Sequence, residues 1–468
     1  MQNAESMHRL AKMALDAGEV DSPEAALALF SRYRVRIYLG RGWADTLAGQ
    51  ACFLTALNAS ARAFLGGVEV HGDLDSMLHV PLFNRRCSRD VIEELGGVIA
   101  TTPKTNLPTI VIGEPPQNLP EGFCVRLGWE GWCASVSPAN QHQALACHRD
   151  NPMAGVAAAA LGVNEAFLHV RGDLVDAGYR TVGLSLWNPL AIGDWRAHIG
   201  PDLQYLPKTL WLAGLGHLGQ AYAWMLGMMP YPKSCAHLVL QDFDKAAKSN
   251  LSTCLFLSAA DLGKPKVRLV SDRLEQAGFT TALVERRFGP DHRIFAGEPA
   301  TALIGVDNIA TRRDLDTANF SLVVEAGLGS GYRDFRNIRT HTFPGPRRPS
   351  QIWAAEAGAQ ASVELNEAYK KLAAERDDLC GMTLLASRAV ATPFVGVMAA
   401  ALVLAEVIRP LHGGGIHAAL DLQMKNLAFR MGPMAARYDG LPPPYVEAEF
   451  PDAAYARPAA DQFVKAGA

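Results

Sequence analysis

The chain has 468 residues, of which 49% are hydrophobic and 19% are charged, and its formal net charge is −3. This composition is typical of a soluble α/β protein with two or three domains, and it provides no positive field for a nucleic acid or a membrane surface. Eight cysteines are scattered along the chain without a C-x-x-C pair. We therefore expect reduced thiols in a cytoplasmic protein, with neither a disulfide framework nor a structural zinc site.

The first half of the chain begins with the elements of a nucleotide-binding fold. Residues 36–42 read as a strand that ends in a glycine turn, and residues 109–113 read as a second apolar strand. Asp45 lies where a third glycine is expected, and Glu114-Pro115 follows Gly113 at the end of the second strand, so the strand-end aspartate is absent. A carboxylate about 4 Å from a phosphate costs about 4 kcal/mol at an effective dielectric of about 20. We therefore predict that this half, residues 1–204, is an inactive copy of the fold.

Two helices of the chain carry the same pattern. Residues 152–165 and 393–406 both read P-x-x-G-V-x-A-A-A-L-x-x-x-E. A proline at the start and small residues along one face suit a buried helix. Two alanine-rich helices can look alike by chance, but the five non-alanine identities in register favour duplication. The apolar stretch 389–408 contains Pro393 and Glu406, and we therefore interpret it as a core helix rather than a membrane span.

Other features repeat in the same order in the two halves of the chain. The Asp-x-Asp at positions 73–75 returns at positions 242–244. The sequence therefore predicts an α/β fold of two pseudo-symmetric Rossmann-like halves, packed as an internal pseudo-dimer. The second, active half spans residues 205–430, and residues 431–468 form an extended tail. Whether the chain also forms a homo-oligomer stays open.

The second half has the sharper nucleotide signature. Residues 209–213 form a predicted strand, and Gly214-x-Gly216-x-x-Gly219 follows it. Such glycines let the backbone approach a phosphate at a helix N-terminus. A second predicted strand ends on Asp242, 23 positions after Gly219, which is the spacing of a carboxylate that binds ribose hydroxyls. These features alone are equally typical of NAD(P)-binding oxidoreductases.

The residues after Asp242 are not typical of a dehydrogenase. Asp244, the Asn250 of S-N-L, the Lys266 of G-x-x-K and the strand-end Asp307 follow in this order. The pattern resembles the adenylation domain shared by ubiquitin-activating enzymes and the ThiF- and MoeB-type adenylyltransferases of thiamine and molybdopterin biosynthesis. The resemblance covers residues 210–315 closely and resumes over residues 380–415.

The resemblance implies that the site uses ATP and Mg²⁺. The nucleotide-binding residues would be Gly214, Gly216, Gly219, Asp242, Asn250 and Lys266, the metal-binding residues Asp244 and Asp307, and the catalytic residues Lys266, Asp307 and Cys380. Carboxylate oxygens are ligands that Mg²⁺ prefers, and the charge of the triphosphate must be offset before a carboxylate can attack it. A lone aspartate or lysine is usually a solvated surface charge, but the motif positions favour the functional interpretation.

One position departs from the family pattern. Thr253 lies where the family has an arginine after S-N-L, so a positive charge is missing. Relatives also take an arginine from the partner half. Arg9 or Arg32 would then supply this charge, with Arg312 and Arg313 as other candidates.

Cys380 is the predicted thioester nucleophile. It lies before the helix at Pro393 and after residues 330–378, an irregular stretch in the position of the family's crossover segment. Cys254 competes because it adjoins the ATP motif, although a free cysteine is most often a buried packing residue.

The function implied by the resemblance is ATP-dependent activation of a ubiquitin-like protein. The enzyme would adenylate the carrier's C-terminal glycine, capture it as a thioester and pass it to a conjugating enzyme. The chain looks like the activating enzyme of a bacterial ubiquitin-like conjugation operon, which implies a link to antiphage defence. The alternatives are an adenylyltransferase for a sulfur-carrier protein or peptide without a thioester, an NAD(P)-binding oxidoreductase, and an inactive scaffold.

Overall fold

The computed structural model describes residues 7–101, 106–141, 145–354, 367–376, 386–440 and 442–451. Within them the helices are α1 (Arg9–Asp16), α2 (Pro23–Phe30), α3 (Leu47–Ala63), α4 (Ser88–Glu94), α5 (Pro152–Arg171), α6 (His217–Met228), α7 (Lys266–Gln276), α8 (Ile309–Arg313), α9 (Pro349–Ile352), α10 (Glu367–Arg376) and α11 (Pro393–Ile408).

The strands of the N-terminal half are β1 (Arg34–Leu39), β2 (Gly67–Gly72), β3 (Gly97–Ile99), β4 (Thr109–Ile112), β5 (Cys124–Glu130), β6 (Cys133–Pro138) and β7 (Val182–Ser185). Those of the C-terminal half are β8 (Tyr205–Pro207), β9 (Thr209–Ala213), β10 (His237–Gln241), β11 (Thr280–Val284), β12 (Thr301–Ile304), β13 (Leu322–Leu328), β14 (Asn337–Phe343), β15 (Ala419–Gln423), β16 (Arg430–Met431) and β17 (Tyr445–Glu447).

The two main sheets have the same strand order. The first runs β3-β2-β1-β4-β5-β6-β7, and the second runs β11-β10-β9-β12-β13-β14-β15-β16. In each, the first five strands are parallel and the following strands are antiparallel. Parallel strands require crossover helices, which here carry the buried apolar surface. The predicted α/β fold of two Rossmann-like halves is confirmed.

The repeated helices α5 and α11 pack against each other between the two sheets. The ring centroids of Phe167 on α5 and Phe394 on α11 are 5.5 Å apart. Proline begins both helices, and α5 ends at Gly172, whose φ of +69° suits a glycine. The carboxylates that end the shared pattern, Glu165 and Glu406, are both buried beside arginines. One hydrophobic core therefore runs through both halves.

In the part of the chain that the structure describes, two helices are long and apolar enough to cross a membrane, Pro152–Arg171 and the helical stretch Pro393–His412, and 89% of the apolar window of each is buried inside the protein. Their small residues suit this packing, because a Cβ on Gly155 would lie 2.0 Å from the backbone oxygen of Ala48. These segments are core helices of the fold, as the sequence predicts for residues 389–408.

The tail is extended where the structure describes it. Residues 445–447 pair with residues 205–207 in an antiparallel two-stranded ribbon. The Lys208 N–H also donates to the Pro444 carbonyl. This segment therefore attaches the tail to the start of the C-terminal half.

Candidate nucleotide site

A cavity of about 770 Å³ lies at the carboxyl ends of β9, β10 and β12, around the N-terminus of α6. Most of the predicted site residues line it: Gly214, Gly216, Asp242, Asp244, Asn250, Lys266 and Asp307. Ligands of open α/β sheets bind at this edge, where the strand order reverses. The structure therefore brings together residues that lie more than ninety positions apart in the sequence.

The three glycines of the turn have different structural roles. Gly214 adopts a φ of +82°, and a Cβ there would lie 2.9 Å from the Gly305 backbone. Gly216 caps α6 and faces open space. Gly219 does not line the cavity, because it packs behind the turn, where a Cβ would lie 1.9 Å from the Gly214 oxygen. The turn therefore leaves the N–H groups at the start of α6 open towards the cavity.

Asp242 connects the end of β10 to the glycine turn. Its carboxylate accepts hydrogen bonds from the Leu215 N–H at 2.5 Å and the Asp244 N–H at 2.7 Å. Burial raises the pKa of this carboxyl, although Lys266 and the two backbone bonds act in the opposite direction. Asp242 thus fixes the turn on one side and borders the cavity on the other.

Lys266 and Asp244 form an ion pair at the wall of the cavity. Lys266 is the first residue of α7, and its Nζ lies 2.9 Å from Asp244 Oδ2. The lysine side chain is only 7% exposed, whereas that of Asp244 is 50% exposed. This geometry places a buried cation beside an accessible carboxylate, which suits a phosphate and a metal ion bound next to each other.

The S-N-L segment contributes the next part of the wall. Asn250 Oδ1 accepts the Ala247 N–H at 2.9 Å, which leaves the side-chain NH₂ as a donor for other partners. Thr253 also lines the cavity and is buried. The family arginine is thus replaced by a short hydroxyl side chain at the cavity itself.

Arg9 is the arginine that enters the cavity from the N-terminal half. Of the proposed substitutes for the family arginine, Arg9 and Arg312 are among the described lining residues, whereas Arg32 and Arg313 are not. The Arg312 guanidinium is engaged by the carbonyls of Val306 and Ala326 and by a buried carboxylate. Arg9 is therefore the better placed of the two to meet a phosphate.

Arg388 is a cavity residue that sequence reasoning misses. It lies just before α11, outside any motif, and lines the cavity with Ala389, Val390 and Ala391. The Arg9 Nη1 donates to the Ala389 carbonyl at 3.0 Å. Burial and the charge of Arg388 both lower the pKa of Arg9. Two arginines therefore lie at the same end of the cavity, where an anion would relieve their repulsion.

The oxygen donors fit a magnesium ion that arrives with a nucleotide. Asp244 and Asp307 both line the cavity, and Mg²⁺ is commonly held by one or two carboxylates together with phosphates and water. Within the described residues there is no group of three or more His, Cys, Asp or Glu side chains that could hold a metal ion alone. Asp307 contributes an exposed carboxylate after β12, near the partly buried Arg9.

Of the two candidate thiols, Cys254 lies within the described residues and Cys380 does not. Cys380 lies outside the described residues, so its place relative to the cavity is not given. Cys254 is fully buried, and burial raises the pKa of its thiol to about 11. A buried thiol with a raised pKa is a poor nucleophile, and Cys254 is therefore a packing residue of the C-terminal half.

The equivalent turn of the N-terminal half is filled by the protein itself. Six residues separate Gly40 from the start of α3, whereas two separate Gly214 from the start of α6. Trp43 in this longer turn is fully buried, and its Nε1 donates to the Asp73 carbonyl at 3.0 Å. Its ring packs on Phe53 with a centroid distance of 4.9 Å.

The position of the third glycine needs a correction. Gly49 is the third residue of α3, as Gly219 is of α6, and its Cβ would lie 2.0 Å from the Trp43 oxygen. The extra residues of the turn shift the alignment, so Asp45 is not the equivalent of the third glycine. The prediction that Asp45 repels a phosphate from this position was wrong.

A different carboxylate occupies the N-terminus of α3. Asp150 accepts hydrogen bonds from the N–H groups of Leu47 and Ala48, each at 2.8 Å. These are the first two residues of the helix, whose N–H groups have no partner within the helix. In the C-terminal half, the position two residues before the helix proline holds Ala391.

These features define a protein of the E1-like class, with paired Rossmann-like halves and a lined cavity in the second of them. The chain is 42% identical over 416 residues to the bacterial E1-like protein BilD of Collimonas sp. (strain OK412), covering 87% of this chain and 89% of that protein. The models of the BilD N-terminal domain and the BilD C-terminal domain match residues 34–186 and 206–414. The chain belongs to the BilD family of bacterial E1-like proteins.

Solved structures with a similar chain path are more distant. E. coli MccB with MccA-N7isoASN matches with a TM-score of 0.34 and 13% identity, over 67% of this chain and 96% of that one. TcdA (CsdL) matches with a TM-score of 0.29 and 12% identity, over 42% of this chain and 83% of that one. These scores are too low to transfer a residue role to this chain.

Proposed function

We propose that this protein uses ATP and Mg²⁺ to adenylate the C-terminal glycine of a ubiquitin-like protein and then captures it as a thioester on Cys380. The observation that carries the proposal is the gathering of Asp244, Lys266 and Asp307 around one cavity at the N-terminus of α6. An NAD(P)-dependent oxidoreductase has no use for a paired lysine and aspartate beside a second strand-end aspartate. Membership of the BilD family supports the same assignment.

The adenylation step follows from the charges at the cavity. The carrier carboxylate attacks the α-phosphorus of ATP, an acyl–phosphate bond forms, and pyrophosphate leaves with the electrons of the broken P–O bond. Both reactants are anions, so the step requires positive charge that is already in place. In this proposal Lys266, Arg9 and the open N–H groups of α6 provide that charge, and Mg²⁺ bound by Asp244 and Asp307 adds to it.

In the thioester step the acyl group is transferred to Cys380. The thiolate attacks the acyl carbon, a carbon–sulfur bond forms, and AMP leaves. Arg388 lines the cavity and lies eight positions after Cys380, so the chain between them spans at most about 29 Å. Burial and a raised pKa argue against Cys254 as the alternative. A conjugating enzyme would then accept the carrier from Cys380.

The proposal is tested with the full chain and a small carrier protein that ends in glycine, from the same operon. We expect ATP–pyrophosphate exchange only when the carrier is present, and a carrier adduct on a non-reducing gel that disappears on reduction. Cys380→Ala should keep the exchange and lose the adduct, because adenylation precedes the thiol step. The exposed Cys235 offers a matched control, and Cys235→Ala should keep both.

Three outcomes would contradict parts of this proposal. An adduct that survives Cys380→Ala and disappears in Cys254→Ala would assign the other thiol. Robust exchange without any reducible adduct in the unmodified protein would favour an adenylyltransferase for a sulfur carrier. Absence of exchange with every carrier of the operon would reject adenylation itself.

A further inference from the structure

The N-terminal half contacts the wall of the cavity through a partly buried arginine. Arg62 lies in the last turn of α3 and donates to three carbonyls of the C-terminal half: Cys254 O at 3.2 Å, Leu255 O at 3.3 Å and Leu257 O at 3.0 Å. Burial lowers the pKa of this guanidinium to about 10. Among the described residues it has no carboxylate partner, so backbone carbonyls and the Asn58 amide oxygen together satisfy its charge.

Asn58, one turn earlier on α3, contributes to the same contact. Its Nδ2 donates to the Leu255 carbonyl at 3.0 Å, and its own carbonyl accepts from Arg62 at 3.2 Å. The Asn58 Oδ1 also accepts from the Arg62 guanidinium. Two side chains of one helix thus hold a single short segment of the other half, which is a rigid arrangement for both partners.

The segment that they hold is continuous with the cavity wall. The N–H groups of Thr253 and Cys254 donate to the Asn250 carbonyl at 3.1 and 2.8 Å. Asn250 and Thr253 line the cavity, whereas Cys254 faces the core. The carbonyls bound by Arg62 therefore begin one residue after the turn that presents Asn250.

Gln220 on α6 holds the same segment from the C-terminal half. Its Oε1 accepts the Phe256 N–H at 3.1 Å, and its Nε2 donates to the Leu215 carbonyl in the glycine turn at 3.2 Å. The segment is therefore fixed between the glycine turn on one side and α3 of the other half on the other. Movement at residues 254–257 would change both Asn250 and the glycine turn.

We propose that Arg62 is a positioning residue through which the N-terminal half sets the affinity of the C-terminal cavity for a triphosphate. Arg62 does not line the cavity and acts through residues 254–257 on Asn250 and Thr253. Because these residues adjoin the expected phosphate positions, Arg62 affects the affinity for the triphosphate more than the affinity for the nucleoside. This inference rests on the proposed function, since it requires ATP to bind in the cavity.

The test compares the affinities of ATP–Mg²⁺ and adenosine for the full chain by calorimetry. Arg62→Met should lower the affinity for ATP about tenfold and change the affinity for adenosine by less than about twofold, because the loss affects only phosphate contacts. Arg62→Lys should give an intermediate affinity for ATP, since one ammonium group replaces a fork of donors. A merely structural role would lower the two affinities together.

Arg430 provides a matched control. It donates to the carbonyls of Leu427, Pro189 and Gly183 across the two halves, and like that of Arg62 its pKa is lowered to about 10 by burial. It does not line the described cavity. Arg430→Met should lower the urea unfolding midpoint and leave the ATP affinity within about twofold of the unmodified protein.

The inference is overturned if Arg430→Met lowers the affinity for ATP as much as Arg62→Met does. It is also overturned if Arg62→Met lowers the affinities for ATP and adenosine equally, or leaves ATP binding unchanged. If Arg62→Met does not fold, Asn58→Leu replaces it in the test. This variant should lower the affinity for ATP about threefold and leave the affinity for adenosine unchanged. An unmodified protein that binds no ATP would contradict the proposed function instead, so the two failures are distinguishable.

Discussion

The N-termini of α3 and α6 occupy equivalent places in two sheets of the same strand order, but different groups lie in front of them. At α3 the carboxylate of Asp150 binds the first two N–H groups, and Trp43 fills the space beside the turn. At α6 the equivalent position is Ala391, and a cavity opens in front of the helix. The two halves thus share one sheet order but differ in what lies in front of this helix.

The two arrangements have different energetic consequences. A side-chain acceptor at a helix N-terminus stabilises a protein by about 1 kcal/mol, with a further contribution from the helix dipole for an anion. In the N-terminal half Asp150 occupies the first two N–H groups of α3, and desolvation of its carboxylate offsets this contribution. In the C-terminal half the N–H groups of α6 face the cavity, and in the proposed function the same interaction would contribute to binding a phosphate of the nucleotide.

The largest expected effect comes from the strand-end carboxylates. We predict that Asp307→Ala lowers carrier-dependent ATP–pyrophosphate exchange at least about 100-fold, because the metal loses a ligand and phosphate charge is left without compensation. Glu114 follows the equivalent strand of the N-terminal half, is exposed and pairs with Arg41 at 2.8 Å. Glu114→Ala should leave the exchange unchanged. Near-normal exchange in Asp307→Ala would reject the site assignment.

A second change transfers the closed arrangement to the open half. Ala391→Asp would place a carboxylate before α11 at the position of Asp150, next to the N-terminus of α6. We expect ATP to bind at least about 30-fold more weakly, because an anion near the phosphates costs several kcal/mol. Ala391→Asn has nearly the same size without the charge and should weaken ATP severalfold less. Equal effects of the two variants in calorimetry would show a steric cause and contradict the comparison.

The smallest effect is a change in the pH dependence of stability. Asp150 keeps part of its surface exposed, but desolvation of its carboxylate outweighs the two backbone hydrogen bonds and raises its pKa from 3.8 to about 6. The folded protein then holds this proton more tightly than the unfolded chain. The free energy of unfolding should therefore fall by roughly 2 kcal/mol as pH rises from about 4 to about 6.

Asp150→Asn removes this titration. Urea unfolding of the variant should show a flatter pH profile in that window, and the difference between the two profiles isolates Asp150 from the other carboxyl groups. Identical profiles would mean that the carboxyl titrates at its ordinary pKa.

Local patterns in the sequence predict the parts of the fold that repeat. The shared pattern at Pro152 and Pro393 predicts the two central helices, because proline and small residues have the same structural meaning in both places. The motifs from Gly214 to Asp307 predict a common site, because the glycine turn, Asp242 and Asp307 each follow a strand at the same edge of the sheet. Both predictions depend on local spacing, repeated between the halves in the first case and within one half in the second.

Contacts between distant segments could not be predicted in the same way. Asp150 is 103 positions from Leu47, and Arg62 is 192 positions from Cys254, so neither pair leaves a local pattern. The longer turn of the N-terminal half also misled the alignment, since a fixed spacing assigned Asp45 to the place of Gly49. Arg388 has no motif, and it lies beside Arg9 at the cavity through a contact 380 positions apart, the hydrogen bond of Arg9 to the Ala389 carbonyl.

The central claim is that one half of this chain binds nucleotide and the other is closed by its own side chains. Calorimetric titration of the full chain with ATP–Mg²⁺ tests it most directly. The account predicts one site per chain, lost in Lys266→Ala, because the single binding site would lose its buried cation. Two sites per chain, or one site that survives Lys266→Ala with unchanged affinity, would contradict it.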